Sequence, residues 1–259
     1  MSIFVTRRQS RHGTMDLVSK TTASGRAGRP RAVPDPAPEL APREQILLAA
    51  AALFVEQGFG GTTTRAIAEA VGIRQASLYY HYAGKDDILA ELLDRSVRPS
   101  ADIARQLERA AGADPSTAAA ALYALAEADV RLLADTPHNI GSLYLMPEVR
   151  EPRFDDFRAA RDELQATYGR LGALARAAAA SPDPEHTLPP AILGALLIQV
   201  VEVVIPLRRR EDAGPEPDPA ALAAAVLRLV GLDAEQIRAA RSRAAGLASR
   251  TAGGRPDSG

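Results

Sequence analysis

Between Thr63 and Lys85 the chain gathers uncharged and cationic hydrogen-bonding tips at short spacing: Thr63, Thr64, Arg65, Arg74, Gln75, Ser77, Tyr79, Tyr80, His81 and Lys85. These are groups that reach phosphate oxygens and base edges rather than the parts of a covalent catalyst. A glutamine amide can pair bidentately with adenine, an arginine can take guanine or hold a phosphate, and hydroxyl, imidazole and ammonium groups donate to the nucleic-acid backbone. Ala76 lies among them, small enough to admit a groove wall and to touch a thymine methyl. Enzymatic motifs are missing: there is no Gly-x-Ser-x-Gly, no His-Glu-x-x-His, no phosphate loop and no run of dinucleotide-binding glycines. The four histidines, His12, His81, His138 and His186, have no metal-ligand spacing, and the chain has no cysteine. We therefore expect no catalytic residue, no metal site, no cofactor and no enzyme.

Such tips must be carried on something rigid. Residues Thr62 to Tyr82 read TTTRAIAEAVGIRQASLYYHY. A helix opening at Thr63, whose hydroxyl can cap it, places Ile67, Ala68 and Val71 on one apolar face. Gly72 supplies the positive φ of a tight bend, and a second short helix, Gln75 to His81, turns Leu78 inward. This is the pattern of a helix-turn-helix, in which the second helix enters a major groove. Two such short helices need a third behind them. Pro42 to Gln57 supplies it, with Ile46, Ala50, Leu53 and Phe54 at helical spacing and Gly58 just past its end. A further helix is predicted over Lys85 to Val97, burying Ile88, Leu89, Leu92 and Leu93.

The segment from Arg43 to Val97 resembles the DNA-binding domain of the TetR family of bacterial transcriptional regulators. The resemblance is carried by Ile46, Ala50, Leu53-Phe54, Gly58-Phe59, Thr62 to Thr64, Ile67-Ala68, Val71-Gly72-Ile73, Leu78-Tyr79, His81-Tyr82, Lys85 and Leu89. It implies that Thr64, Tyr79, Tyr80, His81 and Lys85 clamp the DNA backbone. Two positions depart from the common pattern: Arg74 stands where many relatives have serine, and Ala76 where many have glycine. Losing the serine weakens the cap of the recognition helix by roughly 1 kcal/mol. Tyr82 is expected to pack in the core; Tyr79 fits packing and DNA contact equally.

Around this head, 259 residues that are 46% hydrophobic divide into a basic, disordered arm (1–41), the DNA-binding domain (42–98, motif 63–82), a helical ligand-binding and dimerisation domain (99–246) and a disordered tail (247–259). The net charge of −1 is uneven: the arm holds seven basic and three acidic groups, the head six and seven. Head affinity must then rest on a few placed donors. Gly28-Arg29-Pro30-Arg31 in the arm has the form of a minor-groove hook, though a solvated linker, or a true start at Met15, is the commoner origin of such a stretch. There is no signal-peptide run at the start. The longest apolar stretch, Ala191 to Leu207, contains Gln199, Glu202 and Pro206 and suits a buried helix better than a membrane span. A cytoplasmic protein is expected.

Beyond Pro99 the chain is all-α. Helices are predicted over Ala101–Ala111, Thr117–Ala134, Phe154–Ala180, Ala191–Arg210 and Pro219–Ala245, with an irregular Thr136–Pro147. The last two, 191–210 and 219–245, fit either the core of the monomer or a homodimer surface with Ile192, Leu196, Gln199, Val203, Val226, Leu229 and Val230 facing a second copy, and the family resemblance implies the dimer. Tyr123, Asp129, His138, Tyr144, Met146, Phe157 and Tyr168 are the candidate lining of a small-molecule site, with an apolar or aromatic effector expected, though each singly reads more simply as ordinary core or a satisfied buried polar group. The function these readings point to is a ligand-responsive regulator, more often a repressor in the family, that binds a palindromic double-stranded DNA operator as a homodimer and is released by an unknown small molecule. The competing reading is a helical protein–protein adaptor with a relict DNA-binding domain, favoured by the lack of net basic charge in residues 42–98.

Overall fold

In the computed structural model, which describes residues 40–179, 188–209 and 216–252, every regular element among the described residues is helical, as the sequence predicts. The Gly28–Arg31 hook with nearly all of the arm, residues 180–187 and 210–215, and the last seven residues of the tail lie outside the described residues.

The head is built as expected. α1 (Pro42–Gln57) starts with proline in its first turn and ends at Gly58. α2 (Thr64–Val71) is capped by the Thr63 hydroxyl, which accepts from the Ala66 N–H at 3.1 Å. Gly72, at φ 73°, closes it: its own N–H reaches the Glu69 carbonyl and the Ile73 N–H returns to Ala68. α3 (Gln75–His81) follows, with Leu78 completely buried. Ile46, Ala50, Phe54, Ile67, Ala68, Val71, Leu78, Tyr82 and Leu89 belong to the same core, and Tyr82 packs in it as expected. Leu53 is the exception on the α1 face, only partly buried.

Three helix boundaries differ from expectation, each for a local reason. The predicted stop at Pro99 does not occur: α4 runs unbroken from Lys85 to Ala113 with Pro99 inside. Proline removes one backbone bond, to the Arg95 carbonyl, while Val97, Ser100, Ala101, Ala104 and Leu107 on either side stay buried. Packing outweighs that one missing bond, and a single helix joins head to body. The helix predicted over 191–210 is instead α7 (Pro190–Glu202) and α8 (Val204–Leu207), because Pro206 cannot donate to the Glu202 carbonyl and its ring crowds it. The predicted 219–245 helix is α9 (Pro219–Leu229) and α10 (Ala234–Ala252). Between them Gly231 takes φ 88°. Asp233 then caps α10, accepting from the Glu235 and Gln236 N–H groups while Gln236 accepts from its own. α10 also continues to Ala252, into the expected tail.

The remaining body helices are α5 (Ala118–Asp135) and α6 (Asp155–Ala177), joined by three 3-10 turns through the irregular stretch. α6 and α7 touch backbone to backbone. A Cβ at Gly169 would stand 2.0 Å from the Pro190 carbonyl oxygen, and one at Gly194 2.2 Å from that of Gln165. The Pro190–Leu207 stretch is long and apolar enough to cross a membrane by composition, but it is interrupted at Val203 and packs through Leu193, Gly194, Leu197, Ile198 and Val201.

Candidate nucleic-acid interface

The outer face of α3 is open to solvent. Arg74, Gln75, Ala76 and Ser77 are exposed at its start, Tyr79 is 49% exposed, and Tyr80, at 88%, is the most exposed large aromatic side chain described. Arg74 occupies the cap position without a side-chain hydrogen bond, so the serine's cap is indeed lost. Gln75 is not free. Its amide nitrogen donates to the Thr64 hydroxyl at 2.9 Å and lies 3.4 Å from the Tyr79 hydroxyl, which is itself 3.1 Å from that of Thr64. Three candidate residues from two helices therefore form one triangle. Tyr80 stacks edge-on to His81, ring centroids 5.3 Å apart, and the His81 carbonyl accepts from Arg43.

Most cations of the head are taken up by its own carboxylates. Arg43 and Arg95 bind Glu91 and Glu44, tying α1 to α4; Arg65 pairs with Glu69 at 2.8 Å and Arg98 with Asp94. Lys85, expected at a phosphate, turns instead toward the loop before α2. Its ammonium donates to the carbonyls of Phe59 at 2.7 Å and Thr62 at 3.0 Å and lies 4.3 Å from the centre of the Phe59 ring. One of its three donors is left for a phosphate. Among the arginines and lysine of the head, Arg74 alone has a side chain without a hydrogen bond or ion pair within the described residues. The Thr63 hydroxyl, too, has a structural duty, as the α2 cap.

In the body the seven candidate lining residues separate. Asp129 is buried and accepts from Ser100 of α4 at 2.6 Å and from the Tyr168 hydroxyl of α6 at 3.1 Å. Tyr144 donates to Ser96 of α4 at 3.0 Å, and its ring meets Phe157, centroids 5.3 Å apart. Arg161 lies over Tyr144 and binds Glu202 of α7 with both oxygens at 2.6 Å. Burial pushes the Asp129 carboxyl up to about 6 and the Tyr144 hydroxyl up to about 12; burial, then the Asp129 charge, raises Tyr168 as well. The cavity they enclose is about 10 Å³, room for one water. The sequence points to mixed aromatic and polar groups around an apolar or aromatic effector; the cavity is lined by Ser96, Ser100, Asp129, Tyr144, Arg161 and Glu202 beside Val97, Leu133 and Leu164.

Tyr123, His138 and Met146 lie elsewhere. Tyr123 is buried on α5, and its charged surroundings include Asp218 and Arg241, ahead of and on the last two helices. His138, at φ 55°, borders a surface groove of about 310 Å³ with Leu48 and Leu53 of α1 and Val71 of α2, at the seam between head and body. Met146 packs at the edge of the core. Ser96, Ser100, Arg161 and Glu202 are members of the cluster that the sequence does not single out. A lone glutamate inside an apolar run is the one sequence signal among them. Of the expected dimer residues, Ile192, Leu196, Gln199 and Leu229 are exposed and Val203 is partly so, but Val226 and Val230 are fully buried in the core of this chain.

Comparison with known proteins adds to this geometry. The model of a family described as bacterial regulatory proteins, tetR family, matches residues 46–92. The transcriptional repressor KstR2 of Mycobacterium tuberculosis is 47% identical over 51 residues, 20% of this chain and 26% of that one. The biofilm operon negative regulator IcaR of Staphylococcus epidermidis is 46% identical over 46 residues, 18% of this chain and 25% of its own length. The chain thus spans about a quarter of the curated relatives it matches. A longer similarity exists to the crystal structure of Mycobacterium smegmatis AmtR, 37% identical, covering 82% of this chain and 98% of that one with a TM-score of 0.71.

Proposed function

Because the chain belongs to the tetR family of bacterial regulatory proteins, we propose that it is a DNA-binding transcriptional repressor, not an enzyme, that works in the cytoplasm. The observation that carries this is the outer face of α3: exposed polar tips from Arg74 to Tyr80, with Arg74, whose side chain has no partner among the described residues, at its leading end. In a major groove, Arg74 lies against phosphate or guanine, Gln75 and Ala76 face base edges, and Ser77, Tyr79, Tyr80, Thr64 and His81 reach the backbone. Arg65 can exchange its exposed partner Glu69 for a phosphate, because such surface pairs hold weakly. The adaptor reading rests on head charge; pairing four arginines with Glu91, Glu69, Glu44 and Asp94 leaves that charge as it is, so DNA affinity rests on Arg74, Lys85 and the uncharged donors of α3.

Two recognition helices are needed to read a palindrome, so the protein acts as a homodimer. Ile192 and Leu196 of α7, with Gln199, Val203 and Leu229, form the exposed apolar face that supports this. A small effector enters the body at the Asp129 cluster. Ser96 and Ser100, which close it, stand on α4, the helix continuous with the head, so an effector that separates Tyr144 from Ser96 or Asp129 from Ser100 reorients the head.

The test is titration of the DNA upstream of the protein's own gene at two salt concentrations, with footprinting and solution mass. A twofold-symmetric footprint, affinity falling steeply with salt, and a mass of two chains that Leu196→Glu reduces to one are expected. A monomer with unchanged DNA affinity sinks the dimer; no salt-sensitive binding sinks the function.

A further inference from the structure

An unconstrained Gln75 would read adenine with both ends of its amide, accepting from N6 and donating to N7. The structure ties up one of those ends. The amide nitrogen donates to the Thr64 hydroxyl at 2.9 Å and has the Tyr79 hydroxyl at 3.4 Å as a second, longer contact. The two hydroxyls are 3.1 Å apart, so a further hydrogen bond closes the triangle. With the amide donating to both, one hydroxyl proton is used between Thr64 and Tyr79 and the other points outward, a donor for a phosphate. The carboxamide oxygen, Oε1, has no hydrogen bond among the described residues and is left to meet a base. The opposite orientation of the amide would draw both hydroxyl protons inward and leave neither hydroxyl a donor.

We infer that Thr64 is a specificity-determining residue: by holding the Gln75 amide nitrogen it turns Gln75 into a pure acceptor, which recognises the exocyclic amino group of adenine or of cytosine and disfavours guanine and thymine. In the major groove adenine presents its N6 amino group and cytosine its N4 amino group, whereas guanine and thymine present carbonyl oxygens that repel another acceptor. This rests on the reading of α3 as the recognition helix. It adds a degenerate position, adenine or cytosine, to each half-site, and assigns its cause to a residue on the other helix.

The experiment is selection from random DNA duplexes by the full-length protein, with parent, Gln75→Ala, Thr64→Ala, Thr64→Ser and Tyr79→Phe in parallel. The position read by Gln75 is the one whose preference collapses in Gln75→Ala. There the parent should accept adenine and cytosine within about threefold of each other and favour both over guanine and thymine by about three- to tenfold, the effect of one net hydrogen bond. Thr64→Ala frees the nitrogen to reach adenine N7, so the position should narrow to adenine, by about tenfold over cytosine. Thr64→Ser keeps the hydroxyl and should restore the parent's preference. Tyr79→Phe removes only the longer, 3.4 Å contact and keeps the 2.9 Å bond to Thr64, so it should weaken all sequences alike and leave the preference unchanged. A parent that selects adenine alone, guanine or thymine at this position overturns the inference, as does a Thr64→Ala preference identical to the parent's. Failure of the parent to enrich any sequence is a different result: it removes the recognition-helix reading itself, and this inference with it.

Discussion

The two polar assemblies of this molecule are built on opposite terms. On α3 the hydrogen-bonding groups stand in water, partly satisfied by one another and each with capacity to spare. Around Asp129 the groups are sealed in the body, share one another's donors, and leave space for about one water. A rigid exposed face can dock without rearrangement, whereas a closed cluster must open before anything larger than water enters. That difference suits the first to a partner always sought and the second to a signal that changes the protein when it arrives. α4 spans both, bound to the head through Glu91 and Arg95 and to the body through Ser96 and Ser100.

The contrast can be broken most forcibly at the body. Gly169→Ala drives a methyl into the Pro190 carbonyl, so α6 and α7 must part, carrying Arg161 away from Glu202. We expect a loss of about 3 kcal/mol or more by denaturant unfolding. If instead the variant unfolds like the parent, the close packing of α6 on α7 is wrong.

Next in size is the effect of pH. Asp129 titrates near 6 when folded and near 3.9 when unfolded. Its folded-state value is raised, so between these values the folded chain binds the extra proton, and this group's contribution to stability falls as pH rises from 4 to 7, by about 2–3 kcal/mol in all. Asp129→Asn removes that dependence. The parent's stability relative to the variant should therefore drop by about that amount across the window, while the DNA sequence preferred stays the same. A constant difference would show that Asp129 is not held in a closed, poorly hydrated site.

Smaller effects sharpen the head. Thr63→Ala deletes the α2 cap and should cost about 1 kcal/mol of stability. Tyr80→Ala touches nothing in the core and should leave thermal unfolding unmoved while weakening every DNA sequence alike, by a few-fold. A Tyr80→Ala variant that changes sequence preference instead would move Tyr80 from backbone to base.

What the sequence makes legible follows the same division. Thr63, Gly72 and Leu78 are readable because cap, bend and lock act within a few residues of themselves. Glycine at 231 and the Asp233–Gln236 box carry an equally local signal for a break between α9 and α10, which the apolar run through Val226 and Val230 masks. Pro99 and Pro206 carry the same chemistry with opposite outcomes, decided by packing that sequence spacing alone does not reveal. The partners of Asp129 lie 29 and 39 residues away in sequence, and those of Lys85 lie 26 and 23 away. No periodicity encodes such pairings, so the residue types are readable in the chain and their grouping is not: Asp129, Tyr144, Phe157 and Tyr168 gather, while Tyr123 and His138 face other ways.

The most direct test of the DNA-binding face is the salt dependence of affinity for Arg74→Ala against the parent, on the sequence the parent selects. The Arg74 side chain, at the tip of α3, has no partner among the described residues, so its removal should lower affinity roughly tenfold at low salt. It should also flatten the slope of log affinity against log salt by about 0.9 for each phosphate that is no longer neutralised, or about 1.8 for a dimer. A slope and affinity equal to the parent's would mean that α3 does not meet the DNA with this end.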